Sequence, residues 1–481
     1  MTTESLVTTA PNAPVPGPGR TQRRSAVLLI MCLVQFVVLV NAMFMIVTLP
    51  AIQHDLRFEG DSLTWVVNAY TLPLGGFLLL GGRSADLFGR KRVFATGLGL
   101  FSAASALCGL STTQPALLAF RALQGLGAAL LAPAALSILT ATFSDGPERR
   151  KALAVWSAVN AGSTGVGLLI GGVLTATVSW PFVFLLNGIA GVAILLVSSR
   201  LVPESRAPGV AGFDLGGAVT VTSGLLALVY AVLRGRQHGW ADAVTLGACG
   251  AAIVLLAAFV LIQRIRRAPL VRLDVFRLRT LTAANATMFL VAGAPATVFY
   301  VLTIHLQETL GYSALTTALA LLPAAATVAL GSLIAPRLLP RHDPRLVLVV
   351  ALALVALGVT LLARVGPGSD YLSEVLPALC TMFLGCSCAI LTLFMLATTR
   401  LPESDAGLAS GLINTTLQVG SGLWLAVLSS AALRSGLTPG GYAVALWGVA
   451  LLAGSAALVV LVLLRRRHVT AADLSDADRH G

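Results

Sequence analysis

From about residue 25 onward the chain alternates long apolar runs with short polar connections. Crossing the ~30 Å of hydrocarbon in a bilayer takes about 20 helical residues. Fourteen runs reach that length, centred near Val37, Leu74, Ser102, Leu130, Gly165, Ala190, Leu225, Ala252, Val291, Ala325, Leu354, Met382, Leu417 and Leu452. Hydrocarbon offers no partner to a free backbone N–H or C=O, so each run is expected as a helix. The pattern predicts an all-α polytopic membrane protein of about 14 spans. An even count brings both termini to one side.

The polar positions indicate which side. Of the 32 Lys and Arg residues, all but Arg57, Arg121, Arg234, Arg236, Arg364 and Arg434 lie in the tails or in connections that follow even-numbered spans. Under the positive-inside rule this bias places both termini in the cytoplasm. The acidic residues all fall in loops, tails or span ends. Arg121 alone puts a charge inside an apolar run, in span four, where an unpaired guanidinium costs roughly 3 kcal/mol or more. It needs a partner or a water-filled cavity.

The sharpest interruption is Gly82-Arg-Ser-Ala-Asp-Leu-Phe-Gly-Arg-Lys-Arg92, expected as a charged turn at the membrane surface between spans two and three. Gly89 takes positive φ at low cost. Asp86 closes span two at the negative end of its helix dipole, where an anion is unfavourable unless compensated, and Arg90 is near enough to do so. A second basic turn, Pro336 to Arg345, precedes span eleven. The echo implies two parallel six-span repeats with an inserted hairpin. The expected organisation is a disordered cytoplasmic tail (1–24), an N-terminal bundle (25–201), a two-helix hairpin with its linkers (202–279), a C-terminal bundle (280–465) and a cytoplasmic tail (466–481).

Composition narrows the function. With 57% hydrophobic and 11% charged residues and a mean hydropathy of +0.88, this is not a soluble domain. The net charge of +12 therefore reads as anchoring at a membrane surface, not as nucleic-acid binding. Six cysteines sit in apolar runs without CxxC pairing or a nearby histidine, as small buried hydrophobes. Lys91 and Lys151 both follow Arg, so the Gly-Lys-Ser/Thr phosphate loop of an ATP-driven pump is missing. No cluster of His, Asp or Glu offers an acid, base or metal site, which argues against an enzyme and against a metal. The tails are too short to fold as separate sensor domains.

Taken with the span count, Gly82 to Arg92 resembles the signature loop of the major facilitator superfamily, and the chain most resembles its fourteen-span drug:proton antiporters. Trp65-Val-Val-Asn-Ala-Tyr70, Arg121-Ala-Leu-Gln-Gly-Leu-Gly127 with Pro133, and Gly411 to Gly422 are similar to that group. The resemblance implies a monomeric, multi-pass cell-membrane transporter for a small molecule, using the proton gradient and no cofactor. It also implies a gate, in which Gly82, Asp86, Gly89, Arg90 and Lys91 meet the start of span thirteen near Ala406 in the outward-facing state. A plain topology anchor is the alternative.

The resemblance places Arg121 near the central cavity, with Gln124 one helical turn away on the same face. Arg stays protonated, so its role is electrostatic, or it is a structural arginine bonded to backbone carbonyls. Ser163-Thr-Gly-Val-Gly-Leu-Leu-Ile-Gly-Gly172 resembles the antiporter motif of span five, in which Gly167, Gly171 and Gly172 permit close helix approach. Two positions depart from that motif: Leu168 replaces a proline, Ser163 a glycine. In span one, Asn41 stands where the family segment begins with aspartate. An amide neither carries a proton nor neutralises a cationic drug, so the expected cargo is neutral or acidic. Asn68, Asn160, Asn187, His305, Gln307, Asn414 and Gln418 either bond between helices or line a midplane cavity. His305 is the candidate for proton coupling among them, with Glu308 three residues on.

Overall fold

The structure, a computed structural model, describes residues 18–58, 60–143, 146–206, 214–266, 269–366, 368–398, 403–433 and 439–464. Regular elements among them are all helical. In order they are α1 (Pro18–Leu56), α2 (Thr64–Phe88), α3 (Arg90–Gly109), α4 (Gln114–Thr142), α5 (Pro147–Thr177), α6 (Trp180–Leu201), α7 (Leu215–His238) and α8 (Ala243–Ile265). There follow α9 (Arg279–Val291), α10 (Gly293–Ile304), α11 (Ala314–Leu338), α12 (Pro344–Leu362), α13 (Leu376–Thr398), α14 (Glu403–Leu433) and α15 (Pro439–Leu463). Fourteen spans of the described residues are long and apolar enough to cross a membrane, and every expected centre falls in one of them. α9 and α10 make one span, continued by a π-helical turn over His305–Thr309.

Two local expectations are corrected. Residues 18–24 were expected in a disordered tail, yet α1 begins at Pro18. Its charged first turns extend beyond the apolar run and are held there: Arg24 pairs with Glu148 at 2.9 Å, and Arg23 donates to Leu201 O at 3.4 Å. The rest of that expected tail, and all of 466–481, lies outside the described residues. The second correction concerns the charged turn, which is a single residue. Gly82 to Phe88 complete α2 and Arg90 starts α3, leaving Gly89 alone at φ 105° and ψ 132°. Nothing in Arg-Ser-Ala-Asp-Leu-Phe opposes helix, and Ser84 returns its hydroxyl to Leu80 O at 2.7 Å.

Helices within each half pack closely where glycine removes the side chain. A Cβ on Gly127 of α4 would stand 2.6 Å from Phe101 N of α3, and one on Gly358 of α12 would stand 2.5 Å from Met382 N of α13. The halves meet along two antiparallel pairs. α5 crosses α11 with Gly165 against Leu322 and Gly172 against Ala314 and Ala318, while α2 crosses α14 with Gly75 against Gln418 and Gly422 against Leu72. α7 covers the α2–α14 seam, sharing a cluster of Leu72, Leu225, Val229, Leu233 and Ala426. Outside it, α8 is largely exposed, as a lipid-facing helix would be.

Burial is unequal at the two ends of this bundle. At the end away from Gly89 one apolar core joins both halves, from Phe44, Leu49 and Phe184 to Val298, Leu321 and Phe383. At the Gly89 end each half has its own core. Val27, Leu78, Phe94 and Ala135 belong to one; Val271, Met288, Leu348 and Ile413 belong to the other. The halves thus share one core at the far end, while at the Gly89 end their two cores are bridged at Leu79 of α2, which lies against the C-terminal core and Gly411 of α14.

Candidate transport site and conformational switch

Arg121 lies about two turns into α4 and is 1% exposed, the largest fully buried side chain described. Its Nε donates to Val66 O of α2 at 2.9 Å and its Nη1 to Gln124 Oε1 at 2.8 Å. Gln124 passes the connection on, donating from Nε2 to Asn41 Oδ1 of α1 at 3.0 Å. The guanidinium carbon stands 4.5 Å from the centre of the Tyr70 ring and 5.9 Å from that of Phe184. No carboxylate of the described residues pairs with it.

Taking a cation out of water is expensive, and here two oxygens and two ring faces compensate in place of an anion. Planar Arg suits this site because one fork bonds in its plane while its face lies over a ring. The geometry gives Arg121 the backbone carbonyl of the structural reading, and from it a relay of hydrogen bonds leads through Gln124 to Asn41 of α1. Tyr70 is the member that sequence reasoning did not single out, although it closes the Trp65 to Tyr70 segment. Asn41 Nδ2 has no hydrogen-bond partner in the structure, so the relay ends on a free donor.

The other expected polar residues do not join this relay. Gln307 donates to Val47 O of α1 at 3.1 Å, a bond between the halves at the far end. His305 is buried in the C-terminal half, its ring 5.2 Å from that of Tyr442 in a T-shaped contact, and neither ring nitrogen has a partner. The small cavity beside it is lined by apolar residues of α10, α12 and α15. Asn160, Asn414 and Gln418 are half-buried on α5 and α14, without a hydrogen bond to Arg121 among the described residues. Gly167 and Gly171 let α5 lie against Val40, Met43 and Phe44 of α1, and Gly172 faces α11. With Leu168 buried in the shared core, α5 runs unbroken over Pro147–Thr177.

At the Gly89 turn, Arg90 Nη2 lies 3.6 Å from Asp86 Oδ1. The expected partner of Asp86 in the other half is the N-terminus of span thirteen near Ala406; among the described residues no ion pair joins Asp86 to that segment, and the side chains of residues 401–408 lie outside those described. What the structure does place against the turn is the segment after α6. Arg90 N donates to Ser205 O at 2.9 Å, Lys91 N to Glu204 Oε1 at 3.1 Å, and Lys91 Nζ to Ser199 O at 2.7 Å. Glu204 thereby meets the free N–H groups at the start of α3, where a carboxylate complements the helix dipole. A Cβ on Gly89 would come 2.7 Å from Glu204 Oε1. Sequence reasoning missed Glu204, whose only signal was an acid shortly after span six.

The chain as a whole is similar to known proteins. Residues 31–425 match the description of the Major Facilitator Superfamily. The chain belongs to that superfamily. It is 37% identical over 421 residues to the puromycin resistance protein of Streptomyces alboniger, covering 86% of this chain and 82% of that one. It is 35% identical over 417 residues to the cephamycin export protein of Amycolatopsis lactamdurans, covering 85% and 86%. Among solved structures, the POT family transporter PepTSo superposes with a TM-score of 0.67 at 15% identity, over 96% of this chain and 99% of that one. That likeness is one of fold. The protein is a multi-pass cell-membrane transporter of this superfamily, and not an enzyme.

Proposed function

We propose that the protein exports a small organic compound by alternating access, exchanging it for protons that enter down their gradient, with both termini in the cytoplasm. The names of the two relatives, one for cephamycin export and one for puromycin resistance, support efflux of a natural product. In this reading the halves rock about the far-end core, and the Gly89 ends, each with its own core, part and close. The cargo is neutral or acidic. One observation carries that preference: the buried charge of the relay is a guanidinium with no carboxylate beside it, and the α1 position facing it is the amide of Asn41.

The test uses proteoliposomes with an imposed pH gradient and two probes, cephamycin, a β-lactam bearing carboxylates, and puromycin, which bears an amine. The expected result is gradient-driven accumulation of cephamycin over puromycin, abolished by Arg121→Ala. Accumulation of puromycin alone would overturn the cargo preference, and transport indifferent to both the pH gradient and the membrane potential would overturn antiport. The second outcome is what an uncoupled facilitator or importer would give, a reading favoured by the unbroken α5 and by Asn41.

A further inference from the structure

The chain passes from one half to the other through residues 269–278, just after the α7–α8 hairpin. Two consecutive residues there pack into different clusters, which meet at Leu79 of α2. Leu270 is 3% exposed in a small cluster with Leu80 of α2 and Ala218 of α7. Val271 belongs to the core of the C-terminal half, with Leu281, Met288 and Leu348. The packing of the segment therefore changes from the α2–α7 side to the C-terminal core between Leu270 and Val271.

The N–H groups of both residues are held by buried side chains of the hairpin. Asp214, fully buried just before α7, accepts from Leu270 N through Oδ2 at 3.3 Å. Gln263, in the last turn of α8, accepts from Val271 N through Oε1 at 2.8 Å. The two side chains are joined by Gln263 Nε2 donating to Asp214 Oδ2 at 2.7 Å, and Asp214 Oδ1 accepts from Gly217 N at 2.9 Å. Arg266 Nε lies 3.6 Å from Oδ1 at the rim. A side chain on Gly217 would collide with both Asp214 and Gln263, so the node is closed on that side as well.

On its other face the segment is tied to α2. Arg83 of the signature loop donates from Nη1 to Pro269 O at 2.7 Å. About two turns earlier, Gly76 of α2 leaves room for Thr222 of α7. The hairpin is thus fastened to α2 by an arginine, a leucine contact and a glycine gap, and it grips the first residues of the segment leading to α9.

We propose that Asp214 and Gln263 are positioning residues for the conformational cycle. They keep the hairpin and the backbone from Pro269 to the Val271 amide moving with α2, and they confine the turning of the C-terminal half to the backbone dihedrals from Val271 onward. This rests on the alternating-access reading. A buried carboxylate is suited to the task because it accepts several N–H donors at once, and an unmet donor in this dry setting carries a full desolvation cost. The hairpin on this account is a bracket that fixes the pivot, and its lipid-facing helix α8 contributes Gln263 from its inner end.

The test measures inter-half distance and transport in the same liposomes. Spin labels at Lys151→Cys and His342→Cys, both exposed and on opposite halves, are read on a cysteine-free background. Asp214→Asn leaves one accepting oxygen where donors approach from both sides. The expected result is a broadened inter-half distance distribution and a maximal cephamycin transport rate lower by about tenfold at unchanged KM. A purely structural role would lower the melting temperature and leave the distance distribution of the folded protein as in the wild type. That result overturns the proposal. Should Asp214→Asn fail to fold, Gln263→Ala, which frees only the Val271 N–H, is read by the same criteria. If the wild type moves no probe, the cargo reading fails while the distances still decide the pivot.

Discussion

At the scale of residues, a charge or amide in an apolar run is conspicuous, and that made Arg121, Gln124 and Asn41 legible as candidates. Their connection was not. Asn41 and Gln124 are separated by 83 positions, and only the packing of α1 on α4 brings the amides to 3.0 Å. His305 was equally conspicuous, yet it faces apolar residues of its own half, because a helical position alone does not say which neighbour will cover it. The relay supports a direct test of what the amide does. Asn41→Asp keeps an acceptor for Gln124 and adds an anion near the buried guanidinium, an opposite charge that shares its site. The variant is expected to gain efflux of a cationic dye such as ethidium, driven by the proton gradient, while losing part of its cephamycin transport. Dye retention equal to that of wild-type vesicles would mean that charge at this position does not select cargo.

At the scale of elements, hydropathy located all fourteen spans, since the need to fill hydrocarbon with satisfied backbone leaves a strong linear signal. Features set by tertiary contacts left none. The start of α1 at Pro18 depends on partners at Glu148 and Leu201, whereas the break between α9 and α10 at Ala292 does have a local cause, since Pro295 cannot donate to Val291 O and Gly293 lies between. The signature loop shows both sides of this divide. Its charges and its glycine were readable, but its compression to one residue and its docking on Glu204 were not. Gly89 has a backbone conformation that a residue with a Cβ occupies only at a cost of about 1–3 kcal/mol, and the new methyl would press on Glu204. Gly89→Ala is expected to lower the thermal midpoint of the purified protein and to slow transport, whereas Gly82→Ala, whose Cβ meets only Pro133 at an ordinary 3.6 Å, is expected to be mild. Equal melting curves for the two variants would show that the turn relaxes around the methyl.

At the scale of the whole molecule, the repeated basic turns pointed to two similar halves, but not to which end joins them. In the alternating-access reading, that choice is a balance between conformations differing by only a few kcal/mol, and the same sequence supports both. Here the far end wins because α5 and α11 approach closely enough for Gly172 to touch Ala314 and Ala318, sealing the shared core. The contact offers a handle on the balance. A Cβ at Gly172 would stand 2.5 Å from Ala318 Cβ and 2.9 Å from Ala314 O, so the larger side chain of Gly172→Leu cannot fit without parting the helices. Overpacking of this kind costs about 1–3 kcal/mol, and it falls on the far-end-joined state alone. The population is then expected to move toward the opposite arrangement by a factor of about 5–150. Labels at Lys151→Cys and His342→Cys would report a shorter distance, because the Gly89 ends come together as the far end opens. An unchanged or longer distance would show that α5 and α11 are not the contact about which the halves rock.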